Sequence, residues 1–141
     1  MTSVRIDSSK KQFASLVPEV RRAAEAALSA LRREDSVLDI HLMSRAAMQK
    51  LNRESRGKNE PTNVLSFEGE AFVRGDAKPQ KYLGEVFLAP EVIKERGEEI
   101  QYLVIHGILH CAGYTHAASR DSIRMEKKER EILRHEHNHR T

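Results

Sequence analysis

An apolar segment that contains two histidines places the strongest restriction on the fold. The run from Pro90 to Cys111 has the apolar periodicity of a helix, and Gly97 is predicted to break or kink it. At about 100° per residue, His106 and His110 lie roughly opposite one apolar stripe. That stripe consists of Ile100, Val104, Ile108 and Cys111. We expect the stripe, with the Cys111 thiol, to pack on the core, and both imidazoles to face something else.

Histidine spacing in this segment predicts a metal site. His106 and His110 stand four positions apart, which on a helix separates them by about 40° in azimuth and about 6 Å along the axis. Gly113 can adopt the left-handed backbone conformation that ends a helix, so the chain can turn back and bring His116 to the other two histidines. Three neutral nitrogen ligands leave a divalent ion an open position for water, as in catalytic sites. We predict one Zn²⁺ per chain, with another divalent metal as the alternative.

The pattern H-x-x-x-H-x-x-G-x-x-H nearly matches the metzincin protease signature, with one informative difference. Gly107 stands where those proteases carry the glutamate that accepts a proton from water. Glycine cannot do this, so the peptidase interpretation lacks its main catalytic group. Glycine inside a helix also costs about 1 kcal/mol, so we expect close packing or close substrate approach at Gly107 to offset that cost.

Hydrophobic periodicity along the rest of the chain predicts an α+β fold. We expect a mixed, mostly parallel four-stranded sheet with an antiparallel edge strand and packed helices. The segment 56–63, with Gly57 and Pro61, is predicted to be a polar, ordered loop. The predicted strands are a short one at 4–6, then 37–43, 64–68 and 82–88, and the further helices are Phe13–Leu31, one capped by Ser44, and about 119–135.

Composition fits one globular domain over residues 1–141. Apolar residues are 39% and charged residues 32% of the 141, and the formal net charge is +3, a balance that permits an anionic partner without requiring one. A single cysteine excludes an intramolecular disulfide. No apolar stretch approaches the length of a membrane span, and the amino terminus lacks the apolar core of a secretory signal. We therefore expect a cytoplasmic protein.

Three separated motifs carry a resemblance to a known family. They are RGKNEPTNVLSF (56–67), LGEVFLAPEVI (83–93) and HGILHCAGYTH (106–116). With them, the chain resembles the YbeY endoribonuclease family over nearly its whole length, to the segment MEKKEREIL (125–133). The resemblance implies a metal-dependent endoribonuclease that acts on single-stranded RNA, in maturation of the 3′ end of small-subunit ribosomal RNA and in ribosome quality control. It implies ribosomal RNA and small-subunit components as partners, with neither membrane nor DNA expected.

The resemblance also assigns site residues. The family's three metal ligands fall on His106, His110 and His116, and its functionally important arginine falls on Arg56. Arg56 and His106 are therefore the predicted catalytic residues. A planar guanidinium can hold a phosphate with two parallel hydrogen bonds and stabilise the charge that develops on it.

Further RNA contacts are predicted around Arg56. Lys58 can add a point charge, and Asn63 and Ser66 can hydrogen-bond RNA. Asn63 and Ser66 can equally cap the loop and the strand, which is the usual role of such residues at loop ends.

Departures from the family pattern leave parts of the chemistry open. Thr115 replaces an aspartate beside the third ligand and keeps an oxygen acceptor but not the charge, which leaves open the role of that carboxylate and the choice of metal. Glu68 and Glu85 could serve as general base by residue type, or simply be surface carboxylates. Either water or the 2′-hydroxyl of the RNA could attack.

Two other functions compete with the nuclease. One is a metal-containing RNA- or ribosome-binding assembly factor without catalysis, and the other, weaker one is a zincin-type peptidase. The carboxyl-terminal segment HEHNHR places His135, His137 and His139 at alternate positions, where they could also take up metal.

Overall fold

A computed structural model describes residues 3–69, 82–114 and 119–140. Its sheet contains four strands, β1 (Ser3–Ser8), β2 (Val37–Leu42), β3 (Val64–Glu68) and β4 (Tyr82–Leu88), in the order β1-β2-β4-β3. β1 pairs parallel with β2 and β2 parallel with β4, whereas β3 pairs antiparallel with β4 at one edge. The α+β class and the mostly parallel sheet with an antiparallel edge strand are therefore confirmed.

The described residues also form five α-helices: α1 (Val17–Ala30), α2 (Arg45–Arg56), α3 (Pro90–Glu95), α4 (Ile100–Cys111) and α5 (Ser119–Arg140). α1, α4 and α5 share one apolar core with the face of the sheet that presents Leu38, Ile40 and Val86. α2 and α3 contribute to a smaller cluster, in which Phe67 and Phe87 of the opposite face take part. No helix within the described residues is both long and apolar enough to cross a membrane.

Several predicted boundaries were wrong, each for a local reason. The predicted helix Phe13–Leu31 is split, because a 3-10 helix covers Lys11–Leu16 and α1 begins at Val17. The three-residue spacing of Phe13 and Leu16 fits a 3-10 helix as well as an α-helix, and Pro18 fits only the first turn of the α-helix that follows.

Three further boundaries differ by a few residues. Strand β2 ends at Leu42 and not at the predicted position 43. Arg56 is the last residue of α2 and not the first of the loop. The backbone of α5 continues to Arg140, beyond the predicted end at 135.

Local signals at other helix ends were read correctly. The Ser44 hydroxyl accepts a hydrogen bond from the Ala47 amide at 3.1 Å and so caps α2. Gly97, with φ 67°, lies between α3 and α4. The loop after α2 is ordered by a buried side chain, since Asn52 Nδ2 donates to the Glu60 carbonyl at 2.9 Å.

Candidate metal and phosphate site

The two histidines of α4 lie side by side at the edge of the core. α4 is apolar around most of its circumference and buried along most of its length. His106 and His110 are half-buried, and their Nε2 atoms are 3.2 Å apart. The predicted arrangement, an apolar stripe on the core with both imidazoles facing elsewhere, is therefore present.

Hydrogen bonds at the far side of each ring determine which nitrogen carries the proton. His110 Nδ1 lies 3.1 Å from the Tyr114 carbonyl oxygen, which can only accept. His106 Nδ1 lies 2.9 Å from Glu129 Oε2, on a carboxylate that is 3% exposed. Because both Nδ1 atoms donate in this arrangement, the Nε2 atom of each ring, when the ring is neutral, presents a lone pair to the other.

Two facing lone pairs at this distance repel unless a cation or a shared proton lies by them. Zn²⁺ binds histidine nitrogen at about 2.0–2.1 Å, which puts two tetrahedral ligands about 3.3 Å apart. The observed Nε2–Nε2 distance of 3.2 Å agrees with that separation. The donor pair therefore fits a divalent ion.

The turn after α4 is the predicted chain reversal. Gly113 has φ 98°, its amide donates to the His110 carbonyl at 3.0 Å, and the Tyr114 amide donates to the Leu109 carbonyl at 3.0 Å. This pair of hydrogen bonds is typical of helices that end at a residue in the left-handed conformation. His116 and Thr115 lie outside the described residues, and within those residues no group of three His, Cys, Asp or Glu side chains could hold an ion.

Arg56 shares a cleft of about 590 Å³ with the two histidines. Its exposed side chain donates from Nη2 to the Ser66 carbonyl at 3.1 Å, and its guanidinium carbon lies 5.2 Å from the centre of the Phe67 ring. The structure thus brings a cation from the end of α2 to the histidines of α4. The cleft is lined by Arg56, Val64, Leu65, Ser66, Phe67, Glu68, His106, His110, Gly113 and Tyr114.

The other predicted RNA contacts separate into two groups. Ser66 lines the cleft, whereas Lys58 is exposed and, like Asn63, is absent from the lining. Asn63 Oδ1 accepts from the Val64 amide at 2.8 Å and its Nδ2 donates to Glu98 Oε1 at 3.0 Å. Asn63 therefore caps the start of β3, which is the structural role that the sequence allowed beside RNA contact.

The two carboxylates considered as general base lie at different places. Glu68 lines the cleft at the end of β3. The Glu85 carboxylate instead lies 2.9 Å from His41 Nε2, among polar side chains of β1, β2 and β4 away from the cleft. Of the two, only Glu68 has access to a substrate in the cleft.

Gly107 and Cys111 both serve packing. A Cβ at Gly107 would lie 2.7 Å from Val86 Cγ1 and 2.9 Å from Ser66 Oγ, so α4 can approach the sheet only because this position has no side chain. Burial, followed by the charge of Glu68, raises the pKa of the Cys111 thiol from 9.0 to about 12. Cys111 thus stays a neutral core residue, as expected.

Sequence reasoning missed Glu129, the carboxylate behind His106. Met125 and Ile132, on the same stripe of α5, are 0% and 1% exposed. The sequence did contain a signal, because Glu129 follows Met125 by four positions and precedes Ile132 by three, and so continues an apolar stripe. Charged residues are rare in such a stripe unless they are paired.

Comparisons with known proteins match most of the chain. The model of a family described as Endoribonuclease YbeY matches residues 3–137. The Endoribonuclease YbeY of Pseudoalteromonas translucida is 36% identical over 132 residues, covering 86% of this chain and 84% of that protein. That of Geobacter sulfurreducens is 34% identical over 140 residues, covering 92% and 93%.

A solved structure agrees as well. The chain is similar to the solution structure of TM1509 from Thermotoga maritima, with a TM-score of 0.57 and 26% sequence identity. The similarity covers 92% of this chain and 86% of the other.

Proposed function

Because the chain belongs to the Endoribonuclease YbeY family, we propose that it is a metal-dependent endoribonuclease that cuts single-stranded RNA. The observation that carries the metal dependence is the pair of Nε2 atoms, which lie 3.2 Å apart. In each ring the hydrogen bond at Nδ1 leaves the lone pair on Nε2. His106 and His110 would hold Zn²⁺ with His116 as third ligand. A bound divalent ion lowers the pKa of water and polarises a phosphate oxygen.

Arg56 is the residue proposed to hold the phosphate. Its guanidinium has five N–H donors, and the hydrogen bond to Ser66 together with the Phe67 ring fixes its position beside the histidines. Its other N–H groups can donate to two phosphate oxygens and stabilise the charge that grows there as the bond breaks. Glu68, which lines the cleft, is the carboxylate that we propose accepts a proton from the attacking oxygen.

The biological substrate follows from the family resemblance. We propose that the RNA is ribosomal, cut in maturation of the 3′ end of the small-subunit RNA and in quality control on the ribosome, in the cytoplasm. Small-subunit components would then present the RNA to the cleft.

Cleavage of an end-labelled single-stranded RNA tests this function. Wild type, His110→Ala and Arg56→Ala are purified identically, checked for folding by circular dichroism, and assayed with and without added Zn²⁺. We expect the wild type to cut and each variant to lose about a hundredfold or more in rate, as when one transition-state donor is removed.

Two results would contradict the proposal. Equal cleavage by all three preparations would identify a contaminant, and RNA binding that survives chelation without turnover would favour an assembly factor. A labelled peptide in parallel tests the peptidase, for which we expect no cleavage because Gly107 supplies no base.

A further inference from the structure

Glu129 occupies an unusual position for a carboxylate. It lies on α5, on the stripe that packs against α4, and only 3% of the residue is exposed. A carboxylate in such surroundings is costly unless hydrogen bonds and an opposite charge compensate it.

Two groups within reach compensate it, the His106 ring and the Tyr102 hydroxyl, whose pKa is raised by burial and then by the charge and hydrogen bonding of Glu129. Glu129 Oε2 lies 2.9 Å from His106 Nδ1, and an ionised carboxylate only accepts hydrogen bonds, so Nδ1 carries the proton. On the ring's face, Tyr102 stacks nearly parallel, with centroids 5.9 Å apart and an interplanar angle of 19°. The carboxylate thus fixes the tautomer of His106, and Tyr102 restricts the plane of its ring.

A neutral imidazole satisfies only part of this carboxylate. Glu129 Oε1 is buried and has no hydrogen-bond partner within the part of the chain that the structure describes. A cation at His106 Nε2, across the ring, would supply the missing opposite charge.

We propose that Glu129 is the positioning residue of the site: it holds the proton of His106 on Nδ1, so that Nε2 faces the cleft as a lone pair, and it strengthens metal binding through its charge. The second half rests on the metal site proposed above. Because Glu129 lies behind the ring, its role is exerted through His106 and not by contact with RNA.

Two measurements on the full chain test this role. The first is long-range ¹H–¹⁵N NMR of the metal-free protein, which reports the tautomer of His106. The second is Zn²⁺ affinity, measured by competition with a chromophoric chelator. The variants are Glu129→Gln, which keeps the shape and removes the charge, and Glu129→Leu, which also removes the acceptor. Glu131→Gln, an exposed glutamate of the same helix, is the matched control.

We expect the Nδ1–H tautomer in wild type and in Glu131→Gln, and its loss in Glu129→Leu. Zn²⁺ affinity is expected to fall about 10- to 100-fold in the two Glu129 variants, the usual loss when the partner of a metal-binding histidine is removed, with Glu129→Gln at the lower end. An unchanged tautomer in Glu129→Leu, or an affinity of Glu129→Gln equal to that of Glu131→Gln, would overturn the proposal.

The outcomes separate this proposal from the metal site itself. If wild type takes up no Zn²⁺ at His106 and His110, the metal site fails, and the tautomer alone then decides whether Glu129 positions His106. If Glu129→Leu does not fold, the tautomer of His106 in wild type and the Zn²⁺ affinity of Glu129→Gln decide. An Nε2–H tautomer in wild type, or an affinity equal to that of Glu131→Gln, would then overturn the proposal.

Discussion

Gly107 shows how a single residue can exclude one chemistry and permit a fold. It removes the protease base from the histidine pattern, and it lets α4 contact Val86 and Ser66 where a Cβ would lie within 3.0 Å of both. We expected a close approach at Gly107 to offset the cost of glycine in a helix. The structure shows this approach, because the backbone of α4 packs directly on the sheet at Gly107.

Gly107→Ala should therefore destabilise the protein although alanine favours helices. Overpacking typically costs about 1–3 kcal/mol, against a helix gain of about 1 kcal/mol, so we expect a net loss of about 1 kcal/mol in urea unfolding. In the double variant with Val86→Ala the loss should be smaller than the sum of the two single losses, because the clashing methyl groups are gone. A stabilised Gly107→Ala would show that α4 is not held against the sheet at this point.

Phe67 should affect cleavage through Arg56. Its ring lies 5.2 Å from the guanidinium carbon, and such a contact at an exposed site contributes about 0.5–1 kcal/mol. Phe67→Leu is expected to slow RNA cleavage about two- to fivefold, with Zn²⁺ affinity unchanged. Combined with Arg56→Ala, Phe67→Leu should add nothing further, and an additive loss would show that Phe67 contacts RNA independently.

At the scale of elements, a polar cluster joins three strands on the sheet face away from α4. His41 on β2 lies 2.9 Å from Asp7 on β1 through Nδ1, and 2.9 Å from Glu85 on β4 through Nε2. Its ring stacks on Phe87 at 4.5 Å. Burial lowers the pKa of His41, but the hydrogen bonds and charges of Asp7 and Glu85 outweigh it and raise that pKa above 6.5.

This raised pKa predicts the sign of a pH effect on stability. A group whose pKa is higher in the folded state stabilises the protein below its unfolded pKa, here about 6.5, and loses that contribution as pH rises through the folded value. Since the Asp7 side chain is 71% exposed and that of Glu85 is 40% exposed, we expect less than about 1 kcal/mol.

Urea unfolding across pH 5.5–9 checks this effect. Wild type should lose stability relative to His41→Gln as the pH rises, and Asp7→Asn should move the loss to lower pH because one of the two carboxylates is removed. Parallel curves for wild type and His41→Gln would contradict the assignment.

At the scale of the whole molecule, the proposed metal site connects two helices, α4 and α5. His106 and His110 belong to α4, while Glu129 reaches His106 from α5. A ligand that binds only the folded state stabilises it according to its concentration, by about 2.7 kcal/mol at a hundred times Kd.

We therefore expect chelation to lower the Tm and added Zn²⁺ to raise it, and His110→Ala to abolish most of this response. The control replaces His135, His137 and His139 by asparagine and should respond as wild type does. If the response instead disappears in that control and persists in His110→Ala, the carboxyl-terminal histidines are the metal site.

Much of this protein was determined by its sequence, because the decisive signals are local. The four-residue spacing of His106 and His110, the Ser44 cap and the left-handed Gly113 each act within one or two turns, and the structure places each as predicted. Apolar residues at every second position likewise located the strands, and apolar residues at every third or fourth position located the helices. The start of α1 was misplaced because a 3-10 helix and an α-helix share the three-residue spacing.

Tertiary structure alone decided which distant residues meet. Glu129 lies 23 residues from His106 and Glu98 lies 35 from Asn63, and both contacts depend on how the helices pack against the sheet. The same packing gave Arg56 its place over Phe67 and excluded Glu85 from the cleft. Periodicity in a sequence tells which face of an element is apolar, but the partner of each polar side chain is set by the register and packing of elements that the chain brings together only on folding.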